Sequence, residues 1–529
     1  MKTNYSILIA LFVAGNLSAQ SPMQRILGGA DADRAQSLIE TSDQKMIVNG
    51  ATLSFGSGSA DAILCKMDLL GNLIWSYTYG TTEYDNSEDA IEVTDLGIVC
   101  TGRSNLQTGF PTSALLFKTD SSGQLLWSKA AGGVANDGLV HVIETPNQDL
   151  VAVGYSGSLS SGGRDVLLIR TNSMGDTIFT RSYGSLEDEE GRGILLLADG
   201  GFLITGRQRT FPGGIPRADG LIIRTDPSGN MLWANLYGDS LWEELTGAVA
   251  TADGGFLVTG SDVTFGFGGY DVVLMKIDSL GSVQWARTYG GSKTDASYDI
   301  YLNSDSTVVM AGYTESLGYG NEGSDESNIF LMKTDIGGEL IWMNAFGDGL
   351  QDEAFRAAVA SDGYLIPGFT RNYFPNDSSQ MFIIRTDLLG QTGCHEQYTE
   401  PADTFFTMPF TPAGLTQSAG INYSNTVLVR NSAPLSNYDA CLLLKAPSGE
   451  TAEDIRVFPN PFSDHFTLMV PDASPESHYL VHDLTGRIIK KGYVQSSQSI
   501  ISLNECTPGV YFLTLLNEEG TTTLRLLKQ

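Results

Sequence analysis

The chain has 529 residues, of which 42% are hydrophobic and 17% charged, with 60 glycines; this describes a folded protein rich in turns, neither disordered nor membrane-embedded. A formal net charge of −30 excludes sequence-independent attachment to nucleic acid or an anionic membrane, which requires lysine and arginine on phosphate. The same charge favours cations and basic partners, or simply keeps an exported protein soluble.

The first twenty residues, "MKTNYSILIALFVAGNLSAQ", have a lysine, an apolar run and small residues around Ser18 and Ala19, the pattern of a secretory signal over 1–20. No later stretch reaches the roughly 18 apolar residues of a spanning helix. The five cysteines are then an odd number in an oxidising compartment, so at least one stays unpaired. Cys394 and Cys441 bracket an irregular segment and are a candidate disulfide. The histidines are too scattered to suggest a zinc site.

From Lys66 onward one phrase recurs, a basic residue, Asp or Asn two positions on and Gly three further, as in Lys66-x-Asp68-x-x-Gly71 and Lys276-x-Asp278-x-x-Gly281. Seven copies stand 52 to 57 residues apart, a period that fits one four-stranded unit. Each period reads as four short β runs, A to D, and the Asp-x-x-Gly phrase as the tight C-to-D turn, with glycine supplying positive φ. The basic residue is expected to lie near that aspartate. Trp75, Trp127, Phe179, Trp233, Trp285 and Trp342 follow the glycine by four residues. As wedge fillers they place D outermost and the small-residue A strand innermost. In the seventh copy Cys394 replaces the aromatic, and "MQRILGG" at Met23 to Gly29 lines up with "WARTYGG" at Trp285 to Gly291. The first mature strand is therefore expected to complete the last blade and seal the ring.

These residues predict an all-β chain, a seven-bladed β-propeller over 21–394 with four-stranded blades. "DVVLMKIDSLGSVQWARTYGG" with "DGGFLVTG"-type strands resembles the bacterial β-propeller repeat called SBBP over roughly 23–394. The resemblance implies a scaffold and no single activity. A connector over 395–453 reads either as an ordered extension with extra strands or as a loose linker.

From Ile455 short β runs and turns predict a small β-sandwich over 454–529. Pro459, Asn460, Pro461 and Phe462, then Asp483, Gly486 and Arg487, then Gly509 and Tyr511, and the terminal Lys528 resemble the type A C-terminal sorting domain of type IX secretion cargo. That resemblance implies a Bacteroidota-type source, passage through the periplasm, the type IX machinery as partner, and release or attachment at the outer-membrane surface. The alternative is an ordinary accessory sandwich that binds sugar or protein.

Seventeen residues before each B-strand glycine stand Asp33, Asp85, Asp137, Glu189, Glu243 and Asp295, with Asp352 beside the seventh position. They are expected to ring the axial mouth, either as a ligand or cation site, calcium among the candidates, or as caps of the loops that lead into the A strands. On the same face the B-to-C loops carry Phe55, Phe211, Phe265, Phe267, Tyr319, Tyr373 and Phe374, candidates for holding sugar or protein. No GxSxG, HExxH or P-loop motif is present. The favoured function is a secreted or surface-displayed binding or adhesion module for a glycan or protein. The alternative is a polysaccharide hydrolase using loop carboxylates such as those of Glu187-Asp188-Glu189-Glu190.

Overall fold

A computed structural model describes residues 22–442 and 456–528, apart from 107–110, 160–161, 240, 319–325, 348–349, 372–377, 395, 420–423, 459–463, 471–477, 484–487, 495–497, 505, 507–508 and 518–519. The chain divides between Tyr438 and Asp439 into two compact units. In the first, blade 1 runs A Asp33–Glu40, B Lys45–Thr52, C Asp61–Asp68 and D Leu73–Gly80, all antiparallel. Five more blades repeat this order. Blade 7 takes A from Asp352–Ala354 and Ala358–Ala360, B from Gly363–Thr370 and C from Gln380–Asp387. Its D strand is Met23–Gly28, paired antiparallel from Met23↔Arg385 to Leu27↔Met381. The ring of seven blades is thus closed by the first described strand.

The repeated phrase builds both the turn and the contact to the next blade. Gly281 holds φ +86°, a conformation that costs glycine nothing, while Asp278 Oδ1 accepts the N–H of Leu280 and of Ser282 at 2.9 Å. Trp285 lies across the turn glycine of the following blade, where a Cβ on Gly338 would come within 3.1 Å of the indole. Beside it the Tyr289 hydroxyl donates to the Gly338 carbonyl at 2.5 Å. The tryptophan therefore fills the wedge between blades. The basic residue does not pair with the turn aspartate. Lys276 Nζ is 2.9 Å from Asp253 Oδ1 in the A-to-B turn, and the pairing recurs from Lys66–Asp43 to Arg385–Asp362. Strand C runs antiparallel to B, so the basic residue near its end lies beside the turn that starts B.

Strand D is not outermost. The segment after Cys394 circles the propeller and adds a fifth strand to every blade, visiting them in reverse chain order. Glu396–Tyr398 pairs with blade 6, Ala402–Phe406 with blade 5 and Phe410–Pro412 with blade 4. Thr416–Ala419, Ser424–Asn425 and Val429–Ser432 follow on blades 3, 2 and 1, and Ser436–Asp439 lies against Met23–Gly28 of blade 7. Between these short strands Met408, Leu415, Leu428 and Leu435 are buried and plug the outer ends of the inter-blade wedges. Cys394 and Cys441, at the two ends of this belt, are disulfide-bonded. Cys65, Cys100 and Cys506 are free.

The second unit has a three-stranded sheet, Arg456–Phe458, His465–Met469 and Gln498–Ser502. Its four-stranded sheet comprises His478–Asp483, Ile488–Tyr493, Gly509–Asn517 and Gly520–Lys528. Its core includes Phe466, Leu468, Val481, Leu513 and Leu526. Of the residues that carry the sorting-domain resemblance, Tyr511 and Lys528 are buried, Gly509 opens a strand and Asp483 ends one. Pro459, Asn460, Pro461, Phe462, Gly486 and Arg487 lie outside the described residues. Among the described residues no helix is long and apolar enough to cross a membrane.

Candidate functional site

The seven acids expected at the axial mouth do not line it. Asp33, Asp85, Asp137, Glu189, Glu243, Asp295 and Asp352 are all buried within the blades. Five of them accept the backbone N–H of the residue four positions earlier, as in Gly29 N to Asp33 Oδ2 at 2.7 Å and Gly291 N to Asp295 Oδ2 at 2.9 Å. Side chains at the end of strand B add a second bond, such as Ser156 Oγ to Asp137 Oδ1 at 2.5 Å and Gln208 Nε2 to Glu189 Oε1 at 2.7 Å. The acids thus cap the loop that enters strand A. Burial pushes Asp33, Asp85, Asp137 and Asp295 up, and takes Glu189 to about 7 and Glu243 to about 8. In blade 5 the B-strand partner is itself an acid: Asp262, opposite Glu243, is raised by burial to about 6, and Asp262 Oδ2 and Glu243 Oε2 are both buried without a hydrogen-bond partner. Among the described residues no group of three or more His, Cys, Asp or Glu is arranged to hold a metal ion.

What faces the axis is set three residues beyond each cap. Every continuous A strand slips register there, for instance between Leu139 and His141, Gly191 and Gly193, and Leu245 and Gly247. The skipped residue is a β-bulge, a device that turns a side chain out of its ladder. The B-strand glycine permits the kink, because a Cβ on Gly206 would sit 2.0 Å from the Glu190 carbonyl oxygen. The bulged residues Gln36, Glu88, Val140, Arg192, Thr246 and Tyr298 all line the cavity, with Phe355 at the break in the blade 7 A strand.

This cavity has a volume of about 630 Å³ and is bounded toward the loop-rich face by Ala32, Leu53, Ala60 and Tyr84. A smaller one of about 180 Å³ adjoins it and shares Glu88, Arg103, Arg192 and Arg207. Between them the linings carry seven arginines and three glutamates, with no lysine or aspartate. In a chain of charge −30 the axis is therefore locally cationic. Glu190 sits beneath three guanidiniums: Arg207 Nη2 is 2.7 Å away, Arg192 Nη2 3.2 Å, and Arg164 also contacts it. Burial alone would raise this carboxyl, but Arg192, Arg207 and Arg164 bring it down to about 2. Glu244 takes Arg192 Nε at 2.6 Å and Arg207 Nη1 at 2.7 Å. The Glu190 side chain is 3% exposed, whereas those of Arg164, Arg103 and Arg192 are 36%, 33% and 30% exposed. Carboxylates therefore lie underneath and guanidiniums on top.

Aromatic rings lie under these cations. Arg34 lies 4.5 Å from the Phe369 ring, Arg164 4.5 Å from Tyr155, and Arg207 and Arg209 each 5.4 Å from Trp242. Deeper on the axis Arg356 donates to the Val140 carbonyl at 3.0 Å and approaches Asp89 at 3.6 Å. Burial, followed by Arg356, depresses His141 well below its ordinary value, and its Nδ1 accepts the Ile194 N–H at 3.3 Å.

Of the candidate loop aromatics, Phe55 packs on the blade core and Phe265 stacks on Phe406 of the belt at 4.5 Å. Phe211 and Phe267 are exposed. Tyr319, Tyr373 and Phe374 lie outside the described residues. The rings that line the main cavity are Tyr84, Tyr298 and Phe355. The caps stand out in the sequence, and the bulged positions beyond them do not. The usable signal was the pattern acid, two residues, then a variable third, which places Glu88, Arg192 and Tyr298 in equivalent positions.

Fold and site define a seven-bladed propeller with an arginine-lined axial cavity and a separate C-terminal β unit. Residues 456–529 match the family described as "Secretion system C-terminal sorting domain", which implies the secretion machinery as partner and export to the cell surface or secretion. No curated protein matches the chain. Among solved structures, PorZ, an essential bacterial surface component of the type-IX secretion system of Porphyromonas gingivalis, is 12% identical with a TM-score of 0.37; the match covers 95% of this chain and 60% of that one. This chain thus spans less than two thirds of that neighbour. The Neurospora crassa Pan2 WD40 domain is 8% identical, TM-score 0.40, over 66% of this chain and 89% of that one. The extracellular domain of BT4673 from B. thetaiotaomicron is 11% identical, TM-score 0.18, over 94% and 81%. Likenesses this distant carry no functional information.

Proposed function

We propose that the chain is a secreted or surface-displayed binding module that takes its ligand in the axial cavity of the propeller. The N-terminal twenty residues would direct it to the periplasm of a Bacteroidota-type cell, and the C-terminal domain over 454–529 would carry it outward by type IX secretion. The observation that supports binding is the cavity itself: about 630 Å³, within the size range of small-molecule sites, opening among the D-to-A and B-to-C loops. Hydrolysis of a glycosidic bond needs one carboxyl held protonated to act as acid. Here the cavity glutamates are engaged by arginine and Glu190 is pushed the opposite way, to about 2, while Glu189 is buried as a loop cap.

A glycan array paired with a reducing-sugar assay tests this reading. Retention without release of reducing ends is expected, and Val140→Trp, which fills the cavity without removing a charged group, should abolish retention. Turnover, or retention unchanged in Val140→Trp, overturns it.

A further inference from the structure

We propose that the axial cavity selects acidic saccharides, sugars bearing a carboxylate or sulfate ester, and that Arg34 and Arg209 are the guanidiniums that meet the anion. This rests on the reading of the cavity as the ligand site. Charge alone would make it general, since each cavity glutamate sits against one or more arginines. Arg34 and Arg209 differ: among the described residues neither makes an ion pair, and Arg209 Nε is buried with no hydrogen-bond partner. Both lie over aromatic rings, Arg34 4.5 Å from the Phe369 centroid and Arg209 5.5 Å and 5.4 Å from those of Phe211 and Trp242. Stacking uses the face of a guanidinium and leaves its in-plane N–H fork for a planar oxyanion, the geometry in which arginine binds carboxylate and sulfate strongly. Arg207 Nε is likewise buried without a partner.

A second feature narrows the class. Tyr84, Tyr298 and Phe355 line the main cavity beside Arg34, so the same chamber offers flat apolar faces together with charge. Such a combination suits a ring with one apolar face and a charged substituent. A simple inorganic anion would leave those faces unused. The chain's overall charge of −30 adds a filter: polyanions are repelled from the surface at long range, while a short acidic fragment reaches a chamber where the local sign is reversed.

The test is calorimetric titration of the mature full chain with a galacturonate trimer, a mannuronate trimer, a sulfated galactose disaccharide, a galactose trimer and sodium sulfate. At least one acidic saccharide should bind tenfold or more tightly than the galactose trimer and than sulfate, with weaker binding at 0.5 M NaCl. Arg34→Gln should reduce that affinity tenfold or more, and Arg34→Lys should recover part of it. Arg209→Gln provides a second variant should the first fold poorly. Carboxylate and sulfate sources are separated by which probe binds. Equal binding of the neutral trimer, abolished by Val140→Trp, overturns selectivity and leaves the cavity as the binding site. Acidic binding that survives both Arg34→Gln and Val140→Trp overturns both. No binding by any acidic probe overturns the acidic class.

Discussion

Single residues in this protein act by what they allow the adjoining backbone to do. The B-strand glycine tolerates a carbonyl that would collide with any Cβ, and the bulge it permits aims Arg192 or Tyr298 at the axis. The caps are equally local. In other blades the residue opposite the cap is neutral, as with Thr52 and Ser156, but in blade 5 it is Asp262, so two buried carboxyls share one position. Both folded pKa values lie above the ordinary 3.8 and 4.5, at about 6 for Asp262 and about 8 for Glu243. The stability tied to their protonation is complete below about 4 and lost as pH rises through both values. The melting temperature should therefore fall between pH 4 and pH 8. Asp262→Thr, which restores the hydroxyl of Thr52 and Thr314, should flatten that slope and melt about 2 °C above wild type at pH 8. Scanning calorimetry at several pH values decides it, and parallel profiles would refute the link between these two carboxyls and stability.

At the level of elements, the four-stranded blade and its Asp-x-x-Gly turn were readable because they recur every 52 residues or so with turn chemistry that admits few residues. Closure by Met23–Gly28 was readable for the same reason, as a displaced copy of a repeated strand. The belt was not. Its strands are two to five residues long, too short for alternation to emerge. Among its described residues Met408 and Leu415, then Leu428 and Leu435, are buried seven apart, but Pro401, Ala433 and Ala440 are buried as well, so no strand period stands out. The arginine-lined axis was hidden because bulged positions share no residue type. Their common property is geometric, fixed by a register slip that the neighbouring strand enforces. The belt makes a direct prediction. Leu428, buried against Tyr79 and Phe117, should cost about 2–5 kcal/mol when cut to alanine. Its neighbour Val427, 80% exposed, should cost less than about 0.5 kcal/mol. Urea midpoints of the two variants measure the contrast, and equal losses would show that the belt is not packed as described.

Across the whole propeller, the ring is closed by the first strand in blade 7 and girdled from outside by the belt. The Cys394–Cys441 disulfide fixes the belt's ends and restricts the unfolded chain, which for a loop of this length is worth about 4 kcal/mol in the chain-entropy account. The double variant Cys394→Ser/Cys441→Ser should lower the guanidinium midpoint accordingly, and dithiothreitol should bring wild type down to the same value. A reductant that leaves the wild-type midpoint unchanged would refute the contribution.

Because the outer strands visit the blades in the opposite order to their synthesis, no blade depends on one covalent path alone. A protease that clips an exposed loop, such as the one around Phe211 and Ile215, would sever the chain and still release nothing. The two pieces stay laced together until the sheets themselves come apart, a durable arrangement for a molecule with an export domain at its C-terminal end.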